Sequence, residues 1–158
     1  MNTERVEAAG GLTTPGLTTA QGLLCTISRV HFGVPLDYVE KLIEFEVVPP
    51  PPLALPWIGG IGMHDHRVVM SIALLHRNDP PARRLIKGVL LKVPGSECGW
   101  ALEVDAVDSM AAVQLVQKSV RVGTAKLPSW IAAATTEGRT VGWFNVKQMI
   151  EELSASAD

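Results

Sequence analysis

A chain of 158 residues, 47% hydrophobic and 19% charged, is long enough to bury roughly two-thirds of its unfolded surface and too apolar to remain disordered. Its formal charge of −2 gives no basic footprint for nucleic acid, and no Lys/Arg cluster is long enough to grip a phosphate backbone. No apolar run approaches the roughly 20 residues of a membrane span, and residues 1–20 lack a secretory cleavage pattern, so a cytoplasmic protein without membrane insertion is expected.

Residues 1–20, rich in Gly, Thr and Ala, have no face to bury and predict a flexible tail dispensable for folding. Leu23 to Arg29 and Phe32 to Leu36 predict a first hairpin. In Val39 to Val48, Glu40, Glu44 and Glu46 are set against Ile43, Phe45 and Val47, the pattern of a half-buried strand. Pro49 to Pro52 cannot donate ladder hydrogen bonds. Lying between two strand-like segments, it reads as an extended connector rather than a ligand for a proline-binding domain.

Trp57 to Ile61 and Arg67 to Leu75 predict a hairpin around Gly62-Met63-His64-Asp65-His66, and Asn78-Asp79-Pro80-Pro81 breaks the chain after it. Leu85 to Val93 and Gly99 to Val107 form another hairpin across Pro94-Gly95-Ser96. Ala111 to Val122 continues in strand, Pro128 to Thr135 and Arg139 to Val146 make a last hairpin, and Lys147 to Leu153 a short C-terminal helix. Many short strands with little helix predict an all-β fold, and two closed barrels of about five strands each would remove the sheet edges.

The chain also repeats itself. Leu55-Pro56-Trp57-Ile58, a polar turn and Arg67-Val68-Val69 return as Leu127-Pro128, Trp130-Ile131, a turn and Arg139-Thr140-Val141. The Trp-Ile pairs stand 73 residues apart and the arginines 72, so one gap in the turn aligns them. Phe32-Gly33-Val34 echoes Cys98-Gly99-Trp100 at a spacing of 66. A period this long implies a duplicated small domain of two halves, about 21–78 and 84–153, with strands open to exchange.

No nucleophile elbow, phosphate loop or paired-cysteine motif occurs. His64 and His66 flank Asp65 in the turn, and if that segment is extended, alternation lets both reach one metal, the basis of a metal-dependent enzyme as an alternative. A third ligand has no obvious source. Asp37, Glu40, Glu44, Glu103, Asp105 and Asp108 read as solvated faces. Cys25 and Cys98 occupy similar places in the two halves and read as buried apolar thiols. Trp57, Trp100, Trp130 and Trp143 belong to the repeated units and should fill barrel cores, with Trp143, opposite Met70, a candidate for partner contact.

The stretch Trp57-Ile58-Gly59-Gly60-Ile61-Gly62-Met63-His64-Asp65-His66-Arg67-Val68-Val69-Met70-Ser71-Ile72-Ala73-Leu74 resembles a segment of the CheW-like domain family, with Gly60 and Leu74 matching. Phe32 to Leu42 resembles that family's second strand, and the likeness extends over about residues 20–153. It implies two intertwined SH3-like five-stranded barrels and a cofactor-free adaptor that couples a methyl-accepting chemoreceptor to a CheA-type histidine kinase or another CheW-like protein. By the same resemblance, Gly60 shapes the receptor side and Val39 lines it. Met63-His64-Asp65-His66 stands where the family usually carries Asn-Leu-Arg-Gly, and Met70 and Ala73 where it carries Pro and Asp. Asp65 in place of the cation implies altered kinase coupling, as in an accessory adaptor of a Frz-type pathway. A small β-barrel interaction module outside chemotaxis is the other reading.

Overall fold

The computed structural model describes residues 18–50, 55–75, 82–119, 121–122 and 125–156. Among the described residues, twelve strands precede one α-helix, with a single 3-10 turn at Leu36–Tyr38. They are β1 (Thr18–Ile27), β2 (Val30–Pro35), β3 (Val39–Val48), β4 (Ile58–His64), β5 (Arg67–Ile72), β6 (Arg84–Leu91), β7 (Gly99–Val104), β8 (Ala106–Ser119), β9 (Arg121–Val122), β10 (Ala125–Lys126), β11 (Ile131–Thr136) and β12 (Arg139–Phe144), followed by α1 (Val146–Ser156). Three hairpins close through two residues at positive φ: Ser28-Arg29 (48°, 69°), Asp65-His66 (52°, 63°) and Glu137-Gly138 (50°, 77°). Such turns match the right-handed twist of the strands they join. Asn145 Oδ1 accepts the Gln148 N–H at 3.0 Å and caps α1, whose Val146 and Met149 are fully buried one turn apart.

β3, β4, β5, β7 and β6 close one barrel in that order, and β8, β11, β12, β2 and β1 close the other, with β9 and β10 a separate two-stranded hairpin. The first, here the central barrel, is contiguous in sequence. The second, the terminal barrel, is closed by both ends of the chain, so the barrels do not coincide with the halves 21–78 and 84–153 expected from the repeat. The expected tail also ends earlier, because Thr18 to Ala20 already pair with Val113 to Leu115 in β8. Residues 1–17, Pro51, Pro52 and the Asn78 to Pro81 breaker lie outside the described residues.

The two barrels repeat one plan. Each contains a single parallel pair, β5 with β7 and β12 with β2. Met70 pairs with Trp100 as Gly142 pairs with Phe32, so the register relates the β2 and β7 strands by 68 residues rather than 66. The gap in the repeat is not in the turns, which both have two residues. It is at Gly59, where the register jumps from Ile58↔Ile72 to Gly60↔Ser71, whereas β11 runs against β12 without a break. Gly59 is a β-bulge present in one barrel only.

Packing divides into three cores. The largest lies between the barrels and contains Leu23, Phe32, Ile72, Leu102, Trp130, Phe144 and Met149. Central-barrel strands turn alternate residues inward to a second core of Ile43, Phe45, Val47, Val69, Ile86, Leu90 and Ala101. The third, inside the terminal barrel, has Leu24, Val113, Ala134, Val141 and Trp143. Strands such as β6 and β12 are therefore buried on both faces, which accounts for the nearly continuous apolar runs Val89-Leu90-Leu91 and Val141 to Phe144.

This distribution corrects two sequence readings. Trp57, Trp100 and Trp130 belong to the core between the barrels, and only Trp143 is inside one. Trp57 and Trp130, the repeat's own counterparts, meet edge-to-face with centroids 5.4 Å apart, as residues astride an approximate two-fold axis do. Cys25 is in β1 and Cys98 just precedes β7, so the two thiols are not counterparts. Burial pushes the Cys25 thiol up to about 12, with Asp108 adding to the shift.

Candidate functional site

Inward residues leave their neighbours outside, and on the β4–β5 hairpin those neighbours are apolar. Val47 and Phe45 occupy the space beside Gly60 and Gly62, and Val69 is 1% exposed, so Ile61, Met63 and Val68 point outward, while Met70 leaves the barrel interior toward the core between the barrels. Met63 pairs across the hairpin with Val68, and Ile61 pairs with Met70 on one side and Val48 on the other. Met63 is 57% exposed, Val68 44% and Val48 43%. Exposed apolar side chains placed directly opposite one another form a continuous patch, and a patch is more informative than scattered exposure.

The patch has a polar rim at the hairpin tip. Lys41 Nζ on β3 donates to Asp65 Oδ2 at 2.9 Å, and His64 Nε2 lies 3.4 Å from the same oxygen. The hydrogen bond from Lys41, with the charge of His64 next in weight, holds the Asp65 carboxyl below its ordinary range. The Asp65 charge is therefore balanced within the barrel, and the local reversal of electrostatics expected from its sequence is offset by Lys41. His64 ends β4 and His66 occupies the turn at φ 63°, so strand alternation does not carry them to a common face. Among the described residues no group of three His, Cys, Asp or Glu side chains gathers at a metal-binding spacing.

The other sequence candidates separate. Gly60 is buried in β4, and its carbonyl oxygen lies 3.4 Å from Ser71 Oγ. Val39 opens β3 and packs against the core between the barrels, as does Val107. Trp143 is 5% exposed, and a Cβ on Gly22 or Gly33 would lie 2.7 or 2.9 Å from its ring. Its ring is the filling of the terminal barrel rather than a surface for a partner. Met70, which it was expected to face, packs on the core between the barrels instead.

Sequence reasoning missed a polar cluster at the end of the central barrel. Glu103, expected on a solvated face, has a side chain only 13% exposed. Arg84 binds both its oxygens, Nη1 to Oε1 at 3.0 Å and Nη2 to Oε2 at 3.1 Å, and Nη2 also donates to the Gly59 carbonyl at 3.1 Å. Ser71 Oγ donates to Glu103 Oε2. Arg84, Glu103 and Leu74 line a cleft of about 460 Å³ that reaches Ile27 and Asp105. The one available signal was a Ser in the apolar run Val68 to Leu74, at the place that Trp143 holds in β12. Asp105 and Asp108 are also engaged, accepting from Ser28 N at 2.7 Å and Thr26 Oγ1 at 2.9 Å.

Residues 21–154 match the family model described as CheW-like domain. No curated protein matches the sequence. Among solved structures, the scaffolding protein TtCheW from Thermoanaerobacter tengcongensis is similar with a TM-score of 0.56 and 13% identity, over 80% of this chain and 88% of that one. At that identity the likeness is one of fold. Among the described residues no helix is long and apolar enough to cross a membrane.

Proposed function

Because the chain belongs to the CheW-like domain family, we propose that it is a non-catalytic adaptor of a chemosensory complex, binding the signalling tip of a methyl-accepting chemoreceptor and a CheA-type histidine kinase or another CheW-like protein. The observation that carries this reading is the outward Met63–Val68 pair with Val48, rimmed by Lys41–Asp65. An apolar centre with a charged rim is the anatomy of a protein-docking surface, and Met is over-represented in such centres. On this reading Val39 and Gly60 act through the backbone geometry of β3 and β4, and His64, Asp65 and His66 tune the rim.

Kinase coupling is altered at the rim, where Asp65 replaces a cation. Because Lys41 pairs the carboxylate, a partner that would have met a free cation here loses that contact, which lowers its affinity more than it alters the fold. The test is calorimetric titration of the full chain with a chemoreceptor cytoplasmic fragment and with the regulatory domain of a CheA-type kinase. Met63→Asp should reduce binding to one of them by about a hundredfold, as for the loss of a central anchor. Undiminished binding to both would remove the β4–β5 face from consideration. Asp65→Arg, combined with Lys41→Glu to keep the rim paired, should strengthen kinase binding and leave receptor binding unchanged.

A further inference from the structure

We propose that the Gly59 bulge, held by Arg84 and Glu103, is a positioning device that sets the outward face of β4, so that Arg84 determines docking without touching the partner. The inference rests on the reading of the β4–β5 face as the docking surface. Its basis is the difference between two copies of one hairpin. In the terminal barrel β11 pairs with β12 without a bulge, and the positions corresponding to Met63 and Val68 are Thr135 and Thr140. In the central barrel the bulge and the exposed apolar pair occur together.

The clamp has the connections such a device needs. A bulge bends its strand and increases the local twist, which re-aims the side chains beyond it. Gly59 is four residues before Met63, and its carbonyl is fixed by Arg84 Nη2 at 3.1 Å. The single hydroxyl proton of Ser71 goes to Glu103 Oε2, which fixes the carboxylate that Arg84 grips, while the Gly60 carbonyl lies 3.4 Å from the same hydroxyl. The carbonyl of the bulge residue is therefore tied directly to one ion pair spanning β6 and β7, and Ser71 on the neighbouring strand β5 holds the carboxylate of that pair. The Arg84 and Glu103 side chains are 8% and 13% exposed, so water does not compete strongly for the guanidinium. No residue with a Cβ would fit at the bulge, because that atom would strike Ala73 Cβ and the Glu103 carboxylate.

Two variants test the device. Deleting Gly59 gives β4 the length of β11, a length that the terminal barrel shows the plan accommodates. Replacing the pair as Arg84→Met with Glu103→Met removes the clamp but leaves no buried charge unpaired, a change that buried ion pairs commonly tolerate without loss of stability. Each variant, titrated with the receptor fragment and the kinase domain, should lose about tenfold in affinity for the partner that Met63→Asp affects. In either background Met63→Thr should cost less than in the parent chain, since a mis-set face has less to lose. If both variants fold and bind as the parent does, or if their losses add fully to that of Met63→Thr, the positioning role is overturned. If a variant fails to fold, the other decides, and Arg84→Lys, which keeps the charge but cannot span both oxygens and the carbonyl, replaces the lost one. If Met63→Asp itself has no effect on binding, it is the docking reading that fails. Loss with Met63→Asp but not with the clamp variants leaves that reading standing and removes the clamp.

Discussion

The central and terminal barrels share strand order, pairing polarity and, apart from the Gly59 bulge, register, yet they are filled and finished differently. Inside the terminal barrel one large ring, Trp143 on β12, lies over Gly22 and Gly33. Inside the central barrel the ring is Phe45 on β3, beside Gly62 and Gly88, and the place corresponding to Trp143 belongs to Ser71. One plan therefore accepts its bulky filler from either of two strands, provided glycines on the facing strands make room. Outside, the same hairpin carries Met63 and Val68 in one barrel and Thr135 and Thr140 in the other. The two copies of the plan thus differ both in what fills the interior and in what the hairpin presents outside.

The sharpest way to break this comparison is to empty each interior. Trp143→Ala and Phe45→Ala should each destabilise by about 3–5 kcal/mol, the usual cost of removing a buried aromatic ring, measured by urea unfolding. Because the largest core is shared between the barrels, both variants should still unfold in one transition. Two separate transitions would mean that the barrels are independent domains.

Glu103→Ala strands Arg84 in a site where its side chain is 8% exposed, and should cost about 3 kcal/mol or more, whereas Arg84→Met with Glu103→Met should cost much less. Equal losses for the two would show that the cluster stabilises by packing rather than charge pairing. Gly33→Ala places a Cβ 2.9 Å from Trp143 and should cost about 1–3 kcal/mol through overpacking. A smaller loss in the Trp143→Ala background would assign the strain to that ring.

Exchanging the exteriors sharpens the comparison further. Met63→Thr with Val68→Thr copies the terminal barrel's hairpin onto the central one, and should change stability by less than about 1 kcal/mol while abolishing partner binding. The smallest effect concerns Asp65. Its folded pKa is depressed, so its contribution is present above the unfolded value of roughly 3.9 and lost as pH falls through the folded value. Lys41→Met should move the Asp65 titration upward toward that ordinary value, observable by NMR, with little change in melting temperature because the carboxylate is 72% exposed.

How much was legible beforehand differs by element. The hairpins and β3 were readable because alternation and turn residues are local, and β3 falls on Val39 to Val48 as the pattern implied. Met63, His64, Asp65 and His66, the proposed docking residues, were singled out through the family resemblance, but their division into an apolar pair position and a Lys41-paired rim was not. Lys41 and Asp65 are 24 residues apart in sequence, and nothing local couples them. Arg84 and Glu103 were missed because a charged residue beside apolar ones reads as solvent-facing, unless a partner across the sheet satisfies it.

The sequence by itself determined that the chain is all-β, that it contains one pattern twice and that it resembles the CheW-like family, because strand period, turn chemistry and repeated Trp-Ile units are properties of short segments. Only the tertiary structure decided which strands close which barrel. The pairing of β1 and β2 with β8 and β12 joins the two ends of the chain, and such contacts leave no periodic trace. It also decided that the extra residue of the repeat is the Gly59 bulge and that Trp143 is interior filling. An apolar residue in a strand buried on both faces carries the same letter whether it points into a barrel or between two, and only the register of its neighbours tells which.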